Sequence, residues 1–182
     1  MKKITLFLGA FLTLFFISCE GPEGPPGFDG FDGEDGINGS EFEAAAFEIE
    51  GSMILNESLN RYELEPDQYP SDITLLPDDV VLIYRLEEVN NNLDVWRQLP
   101  QPLFSGQGLL YYNFDFTLSD YNIFVEPEFD VNLVPLDLVQ NQIFRIVIIP
   151  ANLGTSSTMD TSNIKTVMNT LGLSEEQVIK MD

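Results

Sequence analysis

A mainly β domain, a single antiparallel sandwich-like unit with two short C-terminal helices, is what the chain predicts from Ser40 to Asp182. Three observations predict it. Val80 to Leu86, Leu109 to Leu118 and Ile143 to Ile149 are strand-length runs of β-branched, aromatic and aliphatic residues. Turn-forming groups punctuate the chain at Asn56-Glu57-Ser58, Pro66-Asp67, Pro77-Asp78, Asn90-Asn91-Asn92, Gly106-Gln107-Gly108, Ser119-Asp120 and Asn141. No βαβ rhythm is visible, and a stretch of about 140 residues suffices for one core.

The elements ahead of that domain are of another kind. Lys2 and Lys3 open the chain, Ile4 to Ile17 is mostly apolar, and the small residue Ser18 precedes the single cysteine, Cys19. A positive start, an apolar run and a small cleavage residue describe an export signal over residues 1–18. The run is short for a spanning helix and is followed at once by Gly and Pro. The order Phe16-Ile17-Ser18-Cys19 resembles the lipobox of bacterial lipoproteins, with Phe16 where that family usually has Leu. The resemblance implies cleavage before Cys19 and acylation of its thiol and new amino group. Two or three buried acyl chains, at about 0.8 kcal/mol per methylene, hold a protein on a membrane where one does not. Glu20 differs from the Asp that marks inner-membrane retention in that family, so the resemblance implies an outer-membrane lipoprotein of the cell envelope, with a surface-exposed location open.

From Gly21 the chain reads Gly-Pro-Glu, Gly-Pro-Pro, Gly-Phe-Asp, Gly-Phe-Asp, Gly-Glu-Asp, Gly-Ile-Asn and Gly39. Glycine at every third position is what a triple helix requires at its crowded axis. The segment resembles the collagen-like repeats of some Gram-negative lipoproteins. Only one triplet is Gly-Pro-Pro, however, and the other X and Y positions carry Glu23, Asp29, Asp32, Glu34 and Asp35 without a Lys or Arg. Three parallel strands would stack these like charges. A disordered tether over residues 19–39 is therefore expected; its 19 residues from Gly21 to Gly39 span about 24 Å as a coil and ~59 Å in polyproline II. A homotrimer held together by the following domain, or by calcium, is the alternative.

The chain carries 8 basic and 30 acidic side chains and a net charge of −22. Such a surface repels phosphates, which excludes nucleic acid as a partner. Histidine is absent and cysteine is single, so Ser–His and Cys–His nucleophiles, His-ligated metals and disulfide redox pairs are excluded. Dihydrolipoamide dehydrogenase chemistry fails on the same grounds, because the chain also lacks the GxGxxG fingerprint of a dinucleotide-binding turn. Carboxylates remain. Glu126, Glu128 and Asp130 flank Pro127, and Asp78-Asp79 follows Pro77. A glycan hydrolase would need two of them facing across a cleft. Calcium is the one candidate cofactor, at Glu126, Glu128 and Asp130 or at Asp29 and Asp32, although the latter spacing is not that of an EF-hand.

Within the domain, taken as residues 40–154, two hairpins can be drawn. In the second, Leu110, Tyr112, Phe114, Phe116 and Leu118 alternate with polar residues and form a buried face. A turn at Ser119-Asp120 sets Leu118 opposite Tyr121, Phe116 opposite Ile123 and Phe114 opposite Val125. In the first, Val80, Leu82, Tyr84 and Leu86 share the core face, and a turn at Asn90-Asn91 sets Leu86 opposite Val95. Arg85 then meets Trp96 on the outer face. Trp96, the only tryptophan, is either part of a small satellite cluster or an aromatic platform for a glycan or protein partner, with Arg85 stacked beside it.

Residues 155–182 change character. Thr155 to Thr161 is polar, and Ser162 can cap a helix with Ile164, Val167, Met168 and Leu171 on one face, ended by Gly172. Ser174-Glu175-Glu176-Gln177 has the pattern of a capping box and opens a second helical segment bearing Val178, Ile179 and Met181. Neither can bury its apolar face alone. The sequence therefore points to a lipid-anchored, non-enzymatic protein that displays a binding or structural β domain on a tether. The lipobox resemblance implies that its membrane contact is the acyl chains on Cys19.

Overall fold

The computed structural model describes residues 44–65, 67–154 and 159–181. They build two facing sheets within one compact unit. The strands are β1 (Ala45–Gly51), β2 (Ile54–Asn56), β3 (Arg61–Glu63), β4 (Asp67–Gln68), β5 (Val80–Asn90), β6 (Leu93–Gln98), β7 (Gln101–Ser105), β8 (Gly108–Phe116), β9 (Asp120–Pro127), β10 (Gln142–Ile149) and β11 (Ile179–Met181). The first sheet runs β11-β1-β10-β5-β6 and the second β2-β3-β9-β8-β7, with β4 also pairing β9. Every pairing is antiparallel except β1 with β11. The helices are α1 (Ala151–Gly154) and α2 (Ile164–Leu171). The signal, Cys19 and the Gly-X-Y segment lie outside the described residues, as do Asp29 and Asp32.

The mainly β expectation holds, and the sheets enclose a core of residues projected from alternate positions. Phe47 of β1, Phe144, Ile146 and Ile148 of β10, and Val81 and Ile83 of β5 face Leu110, Tyr112, Ile123 and Val125 of β8 and β9. Each such side chain contributes about 1.5–3 kcal/mol by leaving water.

The first sheet is buried on its other face too. Ala46, Leu82, Tyr84, Val147 and Ile149 meet Ile164, Val167 and Met168 of α2. This double burial explains why Val80–Leu86 and Ile143–Ile149 read as unbroken apolar runs rather than as alternation. It also corrects one expectation. Leu82 and Tyr84 face α2, and the inter-sheet core receives Val81 and Ile83.

Both hairpin registers differ from those expected. β8 and β9 pair Phe114 with Ile123 and Phe116 with Tyr121, two positions from the predicted match. Thr117 decides it: its hydroxyl Oγ1 accepts from the Ser119 and Asp120 amides at 3.0 and 3.2 Å, and its own amide donates to the Asp120 carbonyl at 2.8 Å. A slip of two keeps every side chain on its face, so the apolar pattern could not detect it. It does leave Phe116 and Leu118 exposed at the hairpin end.

The first hairpin turns at Asn91-Asn92, with φ of 50° and 62°, and pairs Asn90 with Leu93. Asparagine tolerates this left-handed geometry. That pairing is two residues from the expected match, and a bulge between Leu86 and Glu88 then takes one back, so Leu86 opposes Trp96 and Arg85 opposes Arg97, a net shift of one. A one-residue shift exchanges faces. Trp96 thereby joins the α2 side while Arg85 points between the sheets.

At the C-terminus the helix cap is Asn163, one residue later than expected; its side chain accepts from the amides of Lys165 and Thr166. Ser162 instead bonds Asp160. Gly172 ends α2 at φ 69°. The capping box from Ser174 to Gln177 is present, but its helical segment is a single 3₁₀ turn, Glu175–Gln177. Ile179–Met181 continues as a strand on the open edge of β1, where β-branched and unbranched apolar side chains alternate with Lys180.

Candidate functional site

Residues that carry chemistry converge on the α2 side of the first sheet. The register places Glu48 of β1 opposite Arg145 of β10 and Arg145 opposite Tyr84 of β5, all projecting away from the inter-sheet core. Arg145 is only 4% exposed. It reaches two carboxylates. Nε and Nη2 donate to Glu48 Oε1 at 2.8 and 2.5 Å, and Nη1 and Nη2 donate to the two oxygens of Glu175 at 2.9 and 2.6 Å. The guanidinium lies 4.6 Å from the centre of the Trp96 ring. Lys180 adds a longer contact to Glu48 at 3.4 Å.

Electrostatics follow from this cluster. Hydrogen bonding from Arg145 holds the Glu175 carboxyl below its ordinary range, against partial burial that pushes it up. The sign is that of a depressed acid: the linkage stabilises the fold above the unfolded-state range and is lost as pH falls through the lower folded value. Acidification from about pH 6 to 2 should therefore move the Trp96 emission in one step below the usual glutamate range of about 4.3. Glu175→Gln should lack that step; an unchanged titration in the variant would detach Trp96 from this pair.

Beside the cluster lies an open groove of about 860 Å³, between β6 and α2. Asn92 to Trp96 form one wall, Ile164, Met168 and Leu173 supply apolar surface, and Asp94, Asp160, Lys165 and Glu175 supply charge. The volume is that of a small-ligand or peptide site. Local sequence explains the opening: the turn at Asn91-Asn92 carries the β5–β6 hairpin to its tip, where Leu93 is 62% exposed, and α2 packs back over Tyr84 and Val147.

The other sequence-predicted residues separate. Arg85 is not Trp96's neighbour; it is 5% exposed between the sheets, bonded to Gln142 Oε1 at 2.9 Å and Gln101 Oε1 at 3.3 Å, with Tyr112's ring 4.3 Å away. The cation on Trp96 is Arg145, which lies on a strand remote in sequence and could be found only once the sheet order was known. Burial, partly opposed by Arg85, pushes the Tyr112 phenol up to about 12, and its hydroxyl donates to the Leu138 carbonyl at 2.6 Å.

The three carboxylates of the calcium candidate each take a different partner. Glu126 accepts from Asn113, Glu128 from Tyr111, and Asp130 from the Asn132 amide and side chain. Asp79 accepts from the Leu76 and Ala151 amides and so serves the chain's own turns. Among the described residues no three His, Cys, Asp or Glu side chains stand together as a metal group, and no helix is long and apolar enough to cross a membrane.

No known protein family, curated protein or solved structure matches this chain. The site's own chemistry is what bears on function.

Proposed function

We propose that this is a lipid-anchored cell-envelope protein, held at the outer membrane or cell surface by acyl chains on Cys19, whose β domain binds a glycan or protein ligand in the groove beside Trp96. The Gly-X-Y segment is the tether. One observation carries the binding reading: the only tryptophan of the chain borders an open groove of about 860 Å³ at the free edge of a sheet. The groove's chemistry favours binding over hydrolysis. Glu175 is kept ionised by Arg145, which makes it a poor proton donor, and the chain has no histidine to replace it. The intact glycine period favours a second reading, a homotrimer, in which calcium could screen the acidic X and Y positions.

The anchor is tested by labelled palmitate in cells making the full chain. Wild type should take up label and sediment with membranes, whereas Cys19→Ser should do neither. Label retained in Cys19→Ser would overturn the anchor. The mass of the detergent-solubilised full chain by light scattering, with and without calcium, separates one tethered copy from three.

A further inference from the structure

The wall of the groove is an unusual one. Asn92, Leu93, Asp94, Val95 and Trp96 line it in succession. Successive residues of a strand point to opposite faces, so a recess lined by the four consecutive strand residues Leu93 to Trp96 runs along the strand's edge rather than over one face. β6 is the last strand of its sheet and pairs only with β5 among the described residues. The ladder parity is fixed by the Leu99 amide, which donates to the Ile83 carbonyl at 2.8 Å. Alternate residues Leu93, Val95 and Arg97 thus address β5, and Asp94, Trp96 and Gln98 turn their amides and carbonyls outward, with no ladder partner among the described residues.

An open edge beside a helix is a place for strand addition, in which main-chain hydrogen bonds supply affinity and flanking pockets select side chains. Edges of this kind are normally blunted. Here residues of β6 and of α2 line the same open groove, about 860 Å³ in volume, which is room for a chain segment. The charge of the rim says what kind. Asp94, Asp160 and Glu175 line the groove against one lysine, Lys165; Glu175 is already paired with Arg145, so the exposed Asp94 and Asp160 are what leave the rim acidic. A second copy of this acidic chain would be repelled.

We infer that the groove takes an extended, basic peptide segment of a partner protein, which adds to β6 as a strand, with apolar side chains against Trp96, Met168 and Leu173 and its cations on Asp94 and Asp160. This rests on the groove being the binding site proposed above and names the ligand class for it.

Trp96 is the only tryptophan, so its emission reports the groove without a label. The full chain in detergent is titrated with an acetylated, amidated heptapeptide alternating valine and lysine. A saturable change in emission is expected. Glutamate in place of lysine should weaken it by about tenfold or more, as should N-methylation of alternate peptide nitrogens, and Asp94→Lys should weaken the lysine peptide comparably. Equal binding of the N-methylated peptide would remove the added strand, and equal binding of the glutamate peptide would remove the charge selection; either overturns the inference. So does silence toward the lysine peptide. In that event a saturable response to a neutral β-linked glucose oligosaccharide keeps the groove as a binding site, and silence toward both removes the binding reading as well, whatever palmitate shows at Cys19.

Discussion

Replacing Arg145 by alanine is expected to cost the domain about 3–5 kcal/mol, because it breaks a buried ion pair by removing one partner. Arg145 is 4% exposed and Glu48 12%, so Glu48 would be left desolvated with only the longer contact to Lys180. The two carboxylates it holds are not equivalent. Glu175 is 73% exposed and can rehydrate, so its own removal should cost under about 1 kcal/mol. The Arg145→Ala midpoint in a thermal melt should fall on the order of 10 °C, with Trp96 emission moving to the red as its stacked cation disappears. A loss below about 1 kcal/mol, as for a surface pair, would sink the reading of a buried cluster. The double variant Glu48→Leu with Arg145→Met should recover much of the loss, since an apolar pair of similar bulk needs no mutual neutralisation.

Val167→Asp should undock α2. Val167 is fully buried against a sheet face that includes Leu82, Tyr84, Val147 and Ile149. An unpaired carboxylate there is expected to cost more than about 4 kcal/mol. The sheet would then bare an apolar face and bind a hydrophobic dye, and the groove, which needs α2 as its second wall, would be lost. If the aspartate variant fails to accumulate, Val167→Ala gives the graded form, at about 2 kcal/mol with the groove retained. Retention of full stability in Val167→Asp would show that the first sheet does not need its second cover.

Much of this architecture is legible in the residues, and the failures are specific. Val80–Leu86, Leu109–Phe116 and Ile143–Ile149 are strands because β-branched and aromatic runs of that length have no better local alternative. Gly172 was identifiable as a helix stop because only a residue free of a Cβ sits easily at φ 69°. Trp96 was identifiable as a candidate contact because a lone tryptophan on a short strand stands out. Its partner was not. The sequence pointed to Arg85, and the outcome turned on the bulge between Leu86 and Glu88 that carried Trp96 to the other face, together with the sheet order that sets Arg145 beside β5. The same limit applies to the β8–β9 register, where an apolar period of two is blind to a slip of two, and hydroxyl bonds of Thr117 chose between equals.

By itself, then, the sequence determined the strand content, the apolar alternation, the helix stop, the absence of histidine and second-cysteine chemistry, and the strongly acidic surface. All of these are local or compositional, set by backbone sterics, side-chain branching and counts of ionisable groups. Only the tertiary structure decided which strands are neighbours, which face of the first sheet α2 covers, and which arginine Trp96 meets. Those follow from pairing between residues as far apart as Glu48, Arg145 and Glu175, whose encounter costs chain entropy and is repaid only when both sheets and the helix close together.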